Sequence, residues 1–177
     1  MLINVVVGGT FHFPMLVNHL IKQGHDVRIY TSTPWFKIKN HKLRSICRFI
    51  PMPVQIFRKI TGITSHPILK YIDSFLFDFF VSIFMRDCDL LYGFATSSLR
   101  CGRKVKGNKG VYILDRACPH ALFQEDVVNY EYRKLELRRG RQPSIYIDRS
   151  INEYNEADFI CVPSLYTKKT FLDQNVQ

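Results

Sequence analysis

Two short clusters in this 177-residue chain combine residue types that can hold an anion and move a proton. The first, Gly8-Gly9-Thr10-Phe11-His12, follows directly on the apolar run Leu2 to Val7. A glycine turn between a strand and a helix lets backbone approach a ligand, and the helix start offers unpaired N–H groups and a partial positive charge to a phosphate. Gly8, Gly9 and Thr10 fit that geometry, with His12 at the start of the helix. The second cluster, Asp115-Arg116-Ala117-Cys118-Pro119-His120, ends another apolar run. Arg116 is placed to contact a phosphate, and His12 and His120 at one rim could hydrogen-bond hydroxyls or phosphate oxygens and act as acid or base near neutral pH. The plain alternatives are a structural tight turn, capping or packing histidines, and a local Asp115–Arg116 ion pair that steadies the loop.

These clusters need elements to bring them to one edge. Leu2 to Val7 reads as a buried parallel strand. A helix follows, with Pro14 in its first turn, Leu16, Val17, Leu20 and Ile21 on one face and Gly24 past its end, and then a second strand from Asp26 to Thr31. Further short apolar runs, Asp89 to Tyr92, Val111 to Leu114 and Phe159 to Val162, alternate with helical stretches. The expectation is an α/β single domain over 1–177: a Rossmann-like, doubly wound parallel sheet with helices on both faces. In such a sheet, ligands bind at the carboxyl ends of the strands. A dinucleotide-redox site is disfavoured, because the turn is not G-x-G-x-x-G and the second strand ends Tyr30-Thr31-Ser32-Thr33 without an acid.

Apolar residues make up 46% and charged residues 23%, which is ordinary globular composition and argues against disorder. The five cysteines are scattered with no CxxC spacing, so neither a disulfide framework nor a zinc site is indicated and a reducing, cytoplasmic setting is expected. The opening residues carry no basic leader of a secretory signal. Between Ile68 and Met85, Lys70, Asp73 and Asp78 interrupt an apolar run, which reads as a helix packed on protein through Ile68, Leu69, Ile72, Phe75, Leu76, Phe79, Phe80 and Ile83. Asp78 falls among the off-stripe positions. Glu125, Asp126, Glu131 and Glu136, mixed with Arg133, Lys134, Arg138, Arg139 and Arg141, read as the solvated side of a long helix.

The net charge of +10 is uneven. From Trp35 to Ile72 stand Lys37, Lys39, Lys42, Arg44, Arg48, Arg58, Lys59 and Lys70 with no acid among them. Such a block, expected as a basic loop or insertion over 35–65, points to an anionic partner, the plain alternative being a solvated face. No Ser-His-Asp order, no cysteine beside a base and no metal-ligand spacing stands out.

Along its length the chain resembles the N-terminal half of the retaining GT-B glycosyltransferases of family four. The pieces are Gly8-Gly9-Thr10-Phe11-His12-Phe13-Pro14, the Gly24-His25-Asp26-Val27 turn, Thr31-Ser32-Thr33-Pro34, Asp87-Cys88-Asp89, Asp115-Arg116 through His120, and Glu156-Ala157-Asp158 through Pro163-Ser164. The resemblance implies an acceptor-side domain of a two-domain enzyme that transfers a sugar from a nucleotide-sugar donor to a glycan or lipid-linked acceptor with retention, needing no metal and no cofactor. It implies that Gly8 and Gly9 lie against the donor diphosphate and that His120 faces the transferring sugar. The donor-gripping C-terminal domain is not in this chain, so the chain alone is expected to be inactive, with that domain or a separate donor-binding chain as partner. The basic block would then meet an anionic membrane surface at about 1 kcal/mol per Lys or Arg, peripherally at the inner face. The other class is an anionic-polymer module, nucleic acid included, using the basic segment with Trp35, Phe36, Phe49 and Phe57; nucleic acid is the less expected partner.

Overall fold

In the computed structural model the described residues are 1–9, 12–38, 40–52, 67–138 and 143–176. The expected Thr10, Lys39, Phe57, Arg58 and Lys59 contributions lie outside them. The described strands are β1 (Leu2–Val7), β2 (Asp26–Thr31), β3 (Cys47–Phe49), β4 (Leu90–Phe94), β5 (Val111–Asp115) and β6 (Phe159–Cys161). They form one six-stranded sheet in the order β3-β2-β1-β4-β5-β6, and every pairing is parallel. Helices cover both faces, so the chain is a Rossmann-like α/β domain. The order reverses between β1 and β4, which opens a crevice at the carboxyl ends of those two strands.

The alternation of β1 explains the layers. Ile3, Val5 and Val7 enter one apolar cluster with Phe13 and Val17 of α1 (Phe13–Lys22) and Leu43 of α2 (His41–Ile46). Val6 enters the other, with Phe77 and Val81 of α3 (Pro67–Phe84) and Cys101 and Val105 of α4 (Leu99–Gly107). Because side chains alternate across a strand, a central strand apolar on both faces serves both layers. Three more helices follow: α5 (Ala121–Lys134), α6 (Ser144–Glu156) and α7 (Leu165–Leu172). The charged stretch is therefore a helix that ends at Lys134, with Glu136 and Arg138 beyond it and Arg139 and Arg141 outside the described residues.

Two expectations change. The span from Trp35 carries structure: a 3-10 turn (Trp35–Lys37), α2, and the edge strand β3, with Ile38 and Leu43 buried beneath the basic side chains. Short charged edge strands resist pairing with other chains, which accounts for the basic character of β3. The stripe expected to bury α3 faces outward instead. Ile68, Ile72, Phe80 and Ile83 are exposed, whereas Phe77, Val81 and Asp78 are buried. The reason is that Asp78 caps a neighbouring helix. Its carboxylate accepts the backbone N–H groups of Arg100 and Cys101 at 2.8 and 3.1 Å, two of the orphan donors at the start of α4, and pairs with Arg149 at 2.5 Å.

Candidate functional site

The loops after β1, β2 and β4 meet at the carboxyl edge of the sheet. Ser32 donates from Oγ to the Gly8 carbonyl at 2.7 Å. A Cβ on Gly8 would come within 2.7 Å of Ser97 Oγ and 2.8 Å of Met52 Cε, so a larger residue there would have to displace both side chains. Gly9 continues this turn.

The imidazole of His12, the residue capping α1, reaches across to β5. Its Nε2 lies 2.8 Å from Asp115 Oδ2, and the same oxygen accepts the hydroxyl of Tyr92 from β4 at 2.9 Å. Asp115 is nearly buried, with its side chain 8% exposed, while that of His12 is 54% exposed. A carboxylate that accepts from Nε2–H fixes the tautomer and leaves Nδ1 with the free lone pair. The ring packs at 5.2 Å against Phe94. Burial and the Asp115 charge hold the Tyr92 phenol well above its usual range, and burial likewise raises the Cys161 thiol. Tyr92 therefore stays protonated and serves as a fixed donor to Asp115. Carboxylate, imidazole and phenol together form an oriented, solvent-facing proton acceptor at Nδ1 of His12.

Asp115 and Arg116, adjacent in sequence, point to opposite faces and do not pair. Arg116 turns toward the helical layer, where it donates to the Pro119 carbonyl at 3.2 Å and to Gln124 Oε1 at 3.2 Å and lies 5.9 Å over Tyr154. His120 follows it. The residue is 3% exposed; its ring packs against Tyr154 at 5.0 Å and Phe171 at 5.2 Å, and its backbone N–H donates to Thr170. Burial and the Arg116 charge lower its pKa, so it is neutral near pH 7. His12 and His120 thus stand on opposite faces of the sheet, the first beside the cluster of Val7 and Phe94, the second beside that of Tyr154 and Phe171.

The loop between β4 and α4 completes the rim, and sequence reasoning gave it no part. Thr96 adopts φ 72°, a left-handed conformation that costs a β-branched residue energy. Glu153 of α6 holds it there. This fully buried carboxylate accepts the N–H of Thr96 at 2.5 Å and of Ser98 at 3.1 Å, while Arg149 Nε donates to the Thr96 carbonyl. Burial pushes the Glu153 carboxyl up to about 7, against the pull of Arg149 and the two N–H bonds. Tyr92 and Glu153 gave no sequence signal beyond a phenol in an apolar run and a glutamate ahead of Glu156-Ala157-Asp158.

The described part of the basic block forms an exposed patch. Lys37, Lys42 and Arg48 are exposed, and Arg44 lies 5.8 Å over the ring of Trp35. Trp35 and Phe36 are 63% and 61% exposed. Among the described residues no group of three or more His, Cys, Asp or Glu side chains is placed to hold a metal ion, and no helix is long and apolar enough to cross a membrane.

No protein-family model matches the chain, and no curated protein matches it. Among solved structures the fold is similar to that of UDP-GlcNAc 2-epimerase from Methanocaldococcus jannaschii, with TM-score 0.54 and 10% identity over all of this chain and 43% of that one. A Listeria monocytogenes protein provisionally assigned as a UDP-N-acetylglucosamine 2-epimerase aligns with TM-score 0.49 and 13% identity over 99% of this chain and 43% of its own. This chain therefore spans less than half of either neighbour. At that identity the likeness establishes the fold alone, a Rossmann-like α/β domain.

Proposed function

We propose that the chain is the acceptor-side domain of a nucleotide-sugar enzyme of GT-B architecture, which moves a sugar from its nucleotide to a glycan or lipid-linked acceptor. The observation that carries this reading is the His12–Asp115 pair, held at the crevice beside the Gly8-Gly9 turn. The acceptor hydroxyl gives its proton to Nδ1 of His12, and Asp115 holds the ring in place through Nε2. The Gly8-Gly9 turn would present its backbone N–H groups to a diphosphate beside the start of α1. Thr10 would add to that turn. The resemblance to family-four enzymes adds retention of configuration and supplies the expectation of a donor-binding domain or chain as partner. In this reading His120 and Arg116 shape the 116–120 loop, and His12 meets the substrate. The patch of Lys37, Lys42, Arg44 and Arg48 would bring the rim to an anionic membrane surface, and Lys39, Arg58 and Lys59 add positive charge to the same stretch of sequence.

The test is turnover of a panel of nucleotide sugars by the complete gene product and its variants. His12→Ala and Asp115→Asn should each lower kcat by about 100-fold or more, with a smaller change in donor KM. Full turnover in His12→Ala together with loss in His120→Ala would overturn the assignment and return the chemistry to His120. No turnover and no binding of any nucleotide sugar would overturn the transferase reading itself.

A further inference from the structure

The exposed apolar row of α3 runs beside a cavity that the rim does not use. The cavity, about 480 Å³, lies between α3, α4 and α6, and Tyr71, Phe75, Arg100, Ile145, Asp148 and Asn152 are among its lining residues. That volume suits a small molecule or one lipid headgroup. Most of its cations are already committed. Arg149 pairs with Asp78, Arg103 pairs with Glu156 at 2.8 Å, and Lys104 donates to the carbonyls of Ser82 and Met85. Arg100 differs: among the described residues no carboxylate lies within ion-pair distance of its guanidinium, which sits 5.0 and 5.4 Å over the rings of Phe75 and Phe79. An exposed guanidinium with free donor edges, steadied on two rings, is arranged to take a phosphate in its fork.

The second, independent observation is apolar. Tyr71, Phe75 and Ser82 of α3 face the cavity, and Ile72 and Ile83, one position further round, are exposed with Ile68 and Phe84. Ile72 and Ile83 are exposed and Phe79 is half-buried between them, and at helical spacing the three form a single row along α3 next to the cavity mouth. A partly exposed apolar row beside a cationic cavity marks a surface with an occupant. A free anion would leave that row unused, and a wholly apolar ligand would leave Arg100 unused. We infer that this cavity and the α3 row bind a membrane lipid carrying a phosphate monoester, its phosphate on Arg100 and its acyl chains along Ile72, Phe79 and Ile83. The net charge of +10 adds long-range attraction to an anionic lipid surface.

Isothermal titration with monomeric dihexanoylphosphatidic acid tests this, against dihexanoylphosphatidylcholine and inorganic phosphate. Saturable binding is expected to dihexanoylphosphatidic acid, at least about tenfold tighter than to either comparison probe. Arg100→Gln and Ile83→Asn, both at exposed positions, should each weaken it about tenfold. Equal binding of inorganic phosphate would reduce the cavity to an anion site and overturn the lipid assignment. Equal binding of dihexanoylphosphatidylcholine, an unchanged affinity in Arg100→Gln, or no binding of any probe would overturn it as well. The titration contains no nucleotide sugar, so its failure leaves the rim chemistry standing, and failure of the turnover assay leaves this site standing.

Discussion

Replacing Glu153 by Gln tests whether burial or hydrogen bonding governs the carboxylate beneath the rim. Burial raises this carboxyl from 4.5 to about 7, while Arg149 and the N–H groups of Thr96 and Ser98 oppose the rise. The folded chain then keeps its proton between pH 4.5 and 7, where the unfolded chain has released it. Wild-type stability consequently falls as pH rises through that window, by about 3 kcal/mol from this group, and is unaffected by it below 4.5 and above 7. Glutamine cannot titrate, so the variant lacks that slope. Its amide also turns one donor toward either Thr96 or Ser98, an offset of about 1–3 kcal/mol that is present at every pH. Urea unfolding of both proteins at pH 4.5, 6 and 8 separates the two effects, because other carboxylates cancel in the difference. The wild-type advantage should shrink by about 3 kcal/mol from pH 4.5 to 8. A difference that is constant or grows with pH would refute the reasoning, and would mean that the two N–H bonds and Arg149 outweigh burial.

Arg149→Met should be severely destabilising, by about 3–5 kcal/mol, because it strands the buried Asp78 carboxylate; adding Asp78→Asn should recover part of the loss. Thermal unfolding reads this as a fall of roughly 10 °C, and a fall under about 2 °C would show that the pair is solvated. Gly102→Ala places a Cβ 2.5 Å from the ring of the fully buried Tyr112, so overpacking of about 1–3 kcal/mol should exceed the helix-propensity gain of up to about 1 kcal/mol. A variant more stable than wild type would show that the ring shifts freely. Trp35→Ala together with Lys42→Glu should lower partition onto phosphatidylserine vesicles about tenfold or more and leave the folded stability within about 0.5 kcal/mol, since both side chains are exposed. Steeply salt-dependent binding to single-stranded oligonucleotides without vesicle binding would instead assign the patch to nucleic acid.

The sequence by itself determined the layers of this protein. Strands buried on both faces must be apolar almost throughout, so the runs at Leu2, Asp26, Leu90, Val111 and Phe159 announce a parallel sheet, and the Gly8-Gly9 turn marks the carboxyl end of its first strand. The sequence also named His12 as a candidate, while Asp115 read only as the partner of Arg116 in a local ion pair. Tertiary structure alone decided which residues act together. One step along the chain turns Asp115 toward His12 and Arg116 toward Tyr154, because side chains alternate across a strand and only the register says which face is which. The edge strand β3 escaped notice because three residues, one of them a charged arginine, carry too short a pattern to read. On α3 the periodicity identified an apolar stripe but placed it inward. The choice of face was made by Asp78, whose carboxylate satisfies the start of a helix more than twenty residues away, a bond between distant segments that no local pattern encodes.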